Sequence, residues 1–271
     1  MKRVLALLFV FSFFFYPAIS RADARFSHDR MKTVVRDAEA FYSAPLRWRA
    51  QDWFHLVLFA GGTAVLSLQD EPVQRWVQRR RNRYTDALSG GVRWFGDGRI
   101  TLPLLAAGWM IASRRGNSRL AWACLSAMES FFLANSLTMG GKFLFHRSRP
   151  YLGRGARVWG GPSLDRDNGH LSMPSGHTSS AFSVASALAF SYRDRPLVWL
   201  PAMLLAALTG WSRVNDNKHW FSDVWAGAFF GVMTARFLEK RHSQTGKTAR
   251  GENVGVAVVR NTVVFRVRLR F

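Results

Sequence analysis

Six apolar segments separated by short basic or turn-rich joints constrain the fold of this 271-residue chain more than any other feature. They are rich in Ala, Leu and Phe, and their lengths favour helices over strands. The segments cover residues 53–68, 100–112, 120–139, 181–192, 197–211 and 220–238. We therefore predict an all-α bundle with about six core helices, contained in one domain over residues 25–243.

Whether these helices cross a membrane is a separate question. A bilayer span needs about 20 mostly apolar residues, most of the segments are shorter, and two of them contain the acids Glu129 and Asp223. The mean hydropathy of −0.05 lies between the values typical of soluble and multispanning proteins. We predict a membrane-embedded bundle, and a soluble or peripheral bundle remains the alternative.

The net charge of the chain limits the kinds of molecule that it could bind. With 38 Lys+Arg and 17 Asp+Glu the formal net charge is +21, but 48% of the residues are hydrophobic, which excludes a disordered polycation. A basic surface suits nucleic acid or an anionic membrane. The only cysteine, Cys124, excludes an internal disulfide, and no Cys/His cluster indicates a zinc site.

The N-terminus indicates the secretory route. Residues 1–24 combine a basic start, a long apolar run and the sequence Ala22-Asp23-Ala24, which is typical of a signal-peptide cleavage site. An uncleaved signal anchor is the alternative. Either interpretation argues against a nucleic-acid partner, and a membrane partner is predicted instead.

The C-terminus differs from the rest of the chain. Residues 244–251 are polar and predict a flexible linker, while residues 254–259 and 265–271 have strand-like patterns. We predict a short β-like tail over residues 244–271, with a terminal strand or a hairpin around Asn261-Thr262.

Three polar blocks contain the residues that could carry chemistry. In the first, Lys142 precedes Arg149-Pro150 by seven residues, or two helical turns, so both cations can lie on one helix face. Two convergent cations at a helix end could bind phosphate oxygens, and an arginine can do so through two hydrogen bonds. Taken alone, basic residues beside an apolar helix are more often membrane anchors.

The second block is the sequence Pro174-Ser175-Gly176-His177, which marks the start of a helix. The free N–H groups of a first turn attract an anion, Gly176 permits close approach to the backbone, and Ser175 adds a hydroxyl donor. His177 could protonate a departing oxygen. An ordinary capped helix with an incidental histidine would show the same sequence.

The third block is Ser212-Arg213 followed by His219 and Asp223. The last two residues are four apart at the start of an apolar segment, so they share one helix face. A carboxylate on one ring nitrogen fixes the histidine tautomer and leaves the other nitrogen as a nucleophile. Arg213 offers a third cation to a phosphate. A His–Asp pair on a helix surface is the alternative for this block alone.

Taken together, the three blocks contain the groups that transfer of a phosphoryl group requires. A phosphoryl group in transfer spreads negative charge over its equatorial oxygens, and its catalysis requires positioned cations, an in-line nucleophile and an acid on the opposite side. The three blocks supply all of these groups.

The chain here resembles the type 2 phosphatidic acid phosphatase (PAP2) superfamily, which includes bacterial class A acid phosphatases and vanadium haloperoxidases. The family pattern is K-x6-RP, then PSGH, then SR-x5-H-x3-D, and this sequence fills every position in that order. The resemblance extends over roughly residues 53–238. It implies an α-helical bundle with about six core helices.

The resemblance also implies a role for each matched residue. His219 would be the nucleophile that forms a phosphohistidine, Asp223 would orient it, and His177 would protonate the leaving group and then activate water. No metal or other cofactor is implied, because cations take the electrostatic role of a metal. The residues that would bind phosphate are Lys142, Arg149, Ser175, Gly176 and Arg213.

The implied activity is hydrolysis of phosphomonoesters or diphosphates of membrane lipids, such as phosphatidic acid, phosphatidylglycerophosphate, undecaprenyl diphosphate or lipid A. A soluble periplasmic nonspecific acid phosphatase is the alternative, with a small phosphate ester as its partner. The chain is short for a haloperoxidase. A non-enzymatic binding protein would be favoured if His177 or His219 were missing, and both are present.

The motif positions predict an active site at one end of an up-down bundle. The opposite end has basic joints, which favour the cytoplasmic side in a bacterial inner membrane and place the site on the periplasmic side. A cleaved signal followed by six spans would give the reverse orientation. Either one early segment (residues 53–68 or 100–112) does not span, or the signal interpretation is wrong in detail, or the bundle is not transmembrane and lies in the periplasm on the membrane.

Overall fold

The computed structural model describes the backbone of residues 21–251, 254–259 and 262–267, and the side chains of residues 32–243. The chain divides into two compact units, Met1–Trp48 and Arg49–Phe271. The first unit contains helix α1 (Arg21–Ser43) and a 3₁₀ turn (Ala44–Arg47). Most of the predicted signal segment lies outside the described residues, and residues 21–24 begin α1.

The second unit is a helical bundle, which confirms the predicted fold class. Six of its helices correspond to the six apolar segments, and two more lie between the first and the second of them. In chain order they are α2 (Ala50–Ser67), α3 (Asp70–Arg80), α4 (Arg83–Val92), α5 (Gly98–Arg114), α6 (Ser118–Phe145), α7 (Gly176–Ser191), α8 (Pro196–Asn215) and α9 (Phe221–Gly251).

Helices α3 and α4 were not predicted, because both are short and polar. Helix α3 buries Asp70 and Val77, and basic residues in its last turn complement the helix dipole. Helix α4 begins after Asn82, whose side chain accepts hydrogen bonds from the backbone N–H groups of Tyr84 and Thr85. The basic residues 78–83, which lie between the first two apolar segments, therefore contain the end of one helix and the start of the next.

The end of the chain agrees with the prediction in part. The linker predicted at residues 244–251 was wrong, because α9 continues to Gly251. This stretch has no proline and includes Gln, Lys, Ala and Arg, which are good helix formers. Strands β1 (Val254–Val259) and β2 (Thr262–Val267) then pair antiparallel, with Val259 opposite Thr262, as the predicted hairpin requires.

Helix α7 is the central helix of the bundle and packs against α6, α8 and α9. Small residues make this possible: Ala181 and Ala185 of α7 are fully buried and pack with Ala206 of α8, and Val184 packs with Ala127 of α6. A helix buried on several sides loses its amphipathic pattern. The core therefore consists of closely spaced helix backbones more than of large side chains.

Two glycines of α9 allow that helix to lie directly on α7. A Cβ atom at Gly227 would lie 2.5 Å from the carbonyl oxygen of Ser175, and one at Gly231 would lie 2.5 Å from the carbonyl oxygen of Ser179. The spacing of four residues places both glycines on one helix face, the arrangement that lets two backbones approach closely. This contact fixes the start of α9 against the start of α7.

We expect Gly231→Val to destabilise the bundle by about 1–3 kcal/mol, because the new side chain meets α7 backbone atoms that cannot move aside. Thermal unfolding of purified protein measures the change. Gly62→Ala in α2 is the matched control, since a Cβ there meets no atom within 4 Å and alanine favours a helix. Equal melting temperatures for Gly231→Val and wild type would contradict the close packing of α9 on α7.

Large apolar side chains remain exposed on several helices. On α2 they include Phe54, Val57 and Val65, and on α8 they include Leu197 and Leu204. Among the described helices, α6 and α8 are long and apolar enough to cross a bilayer. Exposed apolar area of this extent is typical of a surface that contacts lipid or another protein.

Candidate active site

The ends of four helices bring the three sequence blocks together. Lys142 lies in the last turn of α6 and Arg213 in the last turn of α8, whereas Gly176 begins α7 and Asp223 lies in the first turn of α9. Because consecutive core helices run in opposite directions, these ends share one side of the bundle. The structure thus places the predicted site residues at the end where we expected them.

Two of the predicted cations are bonded to neutral oxygens. The ammonium group of Lys142 donates to the carbonyl oxygen of Leu171, and Nη2 of Arg149 donates to that oxygen at 3.3 Å and to Oδ1 of Asn168 at 2.8 Å. Among the described residues, no acceptor lies within reach of the buried Nε of Arg149. Burial lowers the pKa of Arg149 below its ordinary value. Positive charge held in this way favours binding of an anion.

The third cation is anchored differently. Nη2 of Arg213 donates to Oδ2 of Asp216 at 2.6 Å, and its Nε donates to the hydroxyl of Ser212 at 3.1 Å. Asp216 in turn accepts a hydrogen bond from Ser89 of α4 at 2.5 Å. This contact orients the guanidinium from one side, and neither Asp216 nor Ser89 was identified as a site residue from sequence.

The start of α7 presents backbone N–H groups to the same region. Ser175 is the N-cap residue, but its side chain makes no capping bond, so the N–H groups of the first turn are left for another acceptor. The hydroxyl of Ser175 instead accepts from Thr178 at 2.9 Å, and its backbone N–H donates to the carbonyl of Asp223 at 2.9 Å. The helix begins at Gly176, within the second block, and Pro174 lies just before the N-cap residue instead of at the first helical position.

A cavity of about 270 Å³ opens beside this helix start, and it is lined in part by Asp97, Lys142, Gly176 and His177. Burial, and then the charge of Arg213, are the main causes that lower the pKa of His177 to about 4; Arg149 and Lys142 add to the effect, and Asp97 opposes it. The three predicted phosphate-binding cations therefore all act on this imidazole.

Asp97 is a further charged residue of the cavity that the sequence blocks do not include. It caps α5, and hydrogen bonds from Arg99 are the main cause that lowers its pKa to about 2. Its negative charge favours the protonated form of His177.

His219 and Asp223 lie side by side, as the spacing predicts, but not within hydrogen-bond distance. Nδ1 of His219 is 3.7 Å from Oδ2 of Asp223, and this buried nitrogen makes no hydrogen bond to any described residue. The physical reason is that Oδ2 already accepts from the hydroxyl of Ser172 at 2.5 Å and from the backbone N–H of Trp220 at 2.9 Å. Burial is the main cause that lowers the pKa of His219.

The sequence analysis did not identify two residues that hold the carboxylate of Asp223 in place. Oδ1 of Asp223 accepts from Nη1 of Arg147 at 2.7 Å, and Nη2 of Arg147 donates to Asp70 at 2.6 Å. Arg147 lies inside the first block, between Lys142 and Arg149. Asp70 is far from every block along the chain, so no local pattern could have identified it.

Comparisons with known proteins match the part of the chain that contains these residues. A family model described as the PAP2 superfamily matches residues 119–245, which contain all eight predicted site residues. Over these residues the chain is similar to the PAP2 superfamily. The match includes nearly all of α6, all of α7 and α8, and most of α9, the helices that carry the three blocks.

Curated relatives of this chain include lipid phosphatases. The chain is 31% identical over 122 residues to the lipid A 1-phosphatase of Porphyromonas gingivalis, which covers 44% of this chain and 24% of the relative. It is 37% identical over 100 residues to lipid phosphate phosphatase 1 of Arabidopsis thaliana, covering 32% of this chain and 30% of the relative. The chain thus spans less than a third of the length of each.

Solved structures share the fold. The crystal structure of Aquifex aeolicus LpxE superimposes with a TM-score of 0.50 and 21% identity, covering 64% of this chain and 94% of that one. A transmembrane PAP2 type phosphatidylglycerolphosphate phosphatase from Bacillus subtilis gives a TM-score of 0.51 and 22% identity, covering 70% and 96%. At these identities the comparison supports the PAP2 fold of the bundle.

Proposed function

We propose that this protein is a metal-independent phosphatase that hydrolyses phosphomonoesters or diphosphates of membrane lipids through a phosphohistidine on His219. The observation that carries the proposal is that three cations lie with His177 at one end of the bundle, and that two of them are bonded to neutral oxygens. An anion with several oxygens is the ligand that such a cluster binds best. The nearby His219 supplies a nucleophile for the phosphorus of a bound phosphate.

The chemistry follows from the two histidines. Since Nδ1 of His219 faces Asp223, Nε2 is the nitrogen free to attack phosphorus; a P–N bond forms as the P–O bond to the leaving group breaks. The leaving oxygen takes a proton from His177. In the second step a water molecule gives a proton to His177 and its oxygen attacks phosphorus, which breaks the P–N bond and releases phosphate. Lys142, Arg149 and Arg213 stabilise the equatorial oxygens throughout.

Two observations favour a lipid as the substrate. Several relatives are named for phosphatase activity on lipid A or on lipid phosphates. Exposed apolar side chains on α2 and α8 suit contact with a bilayer, in which a lipid would present its head group to the cavity. A soluble acid phosphatase would use the same chemistry but would leave this apolar surface in water.

We further propose that the protein lies in the inner membrane of a bacterial cell envelope with its active site facing the periplasm. The two helices able to span, α6 and α8, both run from the basic end of the bundle towards the site. Arg114, Arg115, Arg193 and Arg195 lie in or beside the short joints at that basic end. Short basic joints favour the cytoplasmic side.

One experiment tests substrate and location together. Membranes are washed with alkaline carbonate, and the purified protein is then assayed on lipid phosphates, lipid diphosphates and water-soluble phosphate esters at equal concentrations. The proposal requires retention in the washed membranes and a higher kcat/KM for a lipid substrate. Release by carbonate together with equal rates on soluble esters would instead support the soluble acid phosphatase.

We expect activity to survive EDTA and to be inhibited by vanadate. Protein cations supply the charge stabilisation in this mechanism, so removal of divalent metals leaves the rate unchanged. Vanadate adopts the five-coordinate geometry of phosphorus during transfer and should compete with substrate. The measurement is phosphate release with and without each reagent, beside a Mg²⁺-dependent phosphatase as a positive control for chelation. Strict dependence on added Mg²⁺ would contradict the proposal.

A further inference from the structure

A buried arginine joins two buried carboxylates directly behind the proposed nucleophile. Nη2 of Arg147 lies 2.6 Å from Oδ2 of Asp70, and Nη1 lies 2.7 Å from Oδ1 of Asp223. The exposed fraction of these side chains is 1% for the arginine and 0% for each acid. Burying charges this completely costs free energy unless each charge is paired and hydrogen-bonded. The explanation that suits an exposed ion pair therefore does not apply to this arrangement.

The guanidinium of Arg147 uses its full hydrogen-bonding capacity. Besides the bonds to the two acids, Nη1 donates to the hydroxyl of Ser222 at 2.8 Å, and Nε and Nη2 donate to the carbonyl oxygen of Ala156 at 3.1 and 2.7 Å. Five N–H groups therefore have five bonds. The group also lies over the ring of Trp159, 4.5 Å from its centroid. Arg147 is consequently fixed in one orientation.

Asp70 is held as firmly as the arginine. Its Oδ1 accepts from the backbone N–H of Ser222 at 2.8 Å, and its Oδ2 accepts from the hydroxyl of the same serine at 2.6 Å. Burial raises the pKa of Asp70, while Arg147 and the bonds from Ser222 act in the opposite direction. We take the carboxyl to be ionised, because each of these contacts places a donor against it. Asp70 itself lies at the start of α3, outside residues 119–245.

The charges of this group do not cancel. Two carboxylates and one guanidinium leave one negative charge buried beside His219. Attack of His219 on phosphorus makes its ring cationic, and that cation would bring the group to neutrality. If Asp70 were uncharged, Arg147 would already balance Asp223, and no negative charge would remain for the ring.

We propose that Asp70 is a positioning residue for phosphoryl transfer: it binds Arg147 and balances the guanidinium charge, so that Asp223 keeps its negative charge for the cationic form of His219. This inference rests on the proposed function. Asp70 acts through Arg147 and Asp223 and does not touch the substrate. Its effect should therefore fall on kcat, the parameter that reports stabilisation formed only during the reaction.

The test uses full-length protein in detergent micelles and a lipid phosphate that the wild type hydrolyses. We expect Asp70→Asn, which removes the charge with little change of shape, to lower kcat about 10–100-fold with little change in KM, the range typical of residues that orient a reacting group. Asp70→Glu restores the charge and should recover a large part of kcat. Asp194→Asn is the matched control, because Asp194 is exposed and pairs with Arg119 at the opposite end of the bundle.

A double mutant separates this role from a structural one. In the Asp223→Asn background, Asp70→Asn should cost much less than it does alone, because the residue through which it acts has already lost its charge. A contribution that does not act through Asp223 would cost the same in both backgrounds. Wild-type kcat for Asp70→Asn, or equal losses in both backgrounds, would overturn the proposal.

Folding is checked by helical circular dichroism and melting temperature. If the Asp70→Asn protein does not fold, the proposal is tested with Ser222→Ala instead. This substitution removes a neutral hydroxyl and leaves the charges of Asp70, Arg147 and Asp223 in place. We then expect a kcat loss of less than about tenfold, and a larger loss in a folded Ser222→Ala protein would contradict the role of charge. If the wild type releases no phosphate from any substrate, the proposed function fails instead, which is a distinct result.

Discussion

Replacement of His219 by alanine is expected to lower kcat for phosphate release at least about 10³-fold while the protein stays folded. The mechanism makes the P–N bond at this residue, so its loss removes the covalent step entirely. Residual hydrolysis would come from Lys142, Arg149 and Arg213, which still bind and polarise the phosphate. Binding of vanadate or of substrate should therefore weaken much less than kcat falls.

The assay compares initial rates of purified variants on one lipid phosphate, with circular dichroism as the check of fold. His55→Ala is the matched control, because His55 lies exposed on α2, outside the proposed site, and should leave kcat unchanged. Near-normal turnover by a folded His219→Ala protein would eliminate this histidine as the nucleophile.

Replacement of His177 by glutamine should have the second-largest effect, and its size should depend on the leaving group. We expect kcat for a lipid monoester to fall about 10²–10⁴-fold, because its alkoxide leaving group needs a proton. An aryl phosphate with an acidic phenol leaves without that proton, so its first chemical step should be slowed far less. The measurement is a burst of phenol release in the first turnover, and an equal loss for both substrates would contradict the role of His177 as general acid.

The pH dependence of the wild type tests the same residue. Burial and the three cations hold the pKa of His177 at about 4, so the imidazole is neutral above that pH. Bound phosphate offsets the cations and raises the pKa. The basic limb of kcat should therefore lie at higher pH than the basic limb of kcat/KM, and it should be absent from His177→Gln. Coincident limbs would show that substrate does not bind next to His177.

Much of the bundle could be predicted because its core helices are both apolar and bounded by basic joints. The six segments were found from composition alone, and the structure extends most of them by a few residues. Helices α3 and α4 escaped prediction since their stability comes from caps and from a few buried residues, such as Val77, instead of an apolar run. Close backbone packing at Gly227 and Gly231 was also not anticipated.

The candidate site was predictable to the extent that its residues form local patterns. Two pairs could be recognised because helical spacing separates their members within one short block. These pairs are Lys142 with Arg149 and His219 with Asp223. Asp70 reaches the site through a tertiary contact with Arg147, and such a contact leaves no periodicity in the sequence. Asp216 follows Arg213 by three residues within the third block, so this pair has helical spacing that the sequence analysis did not use. The 3.7 Å separation of His219 and Asp223 likewise depends on Ser172, which competes for the same carboxylate oxygen.

The central claim, a covalent phosphohistidine on His219, is tested most directly by trapping the intermediate. Purified protein is mixed with a lipid substrate that carries a labelled phosphoryl group, quenched at alkaline pH, where a P–N bond persists, and digested for peptide mapping. The account predicts label on the peptide that contains His219, and no label on that peptide from His219→Ala. Label on a different residue, or turnover by a wild type that never becomes labelled under conditions that preserve phosphohistidine, would contradict it.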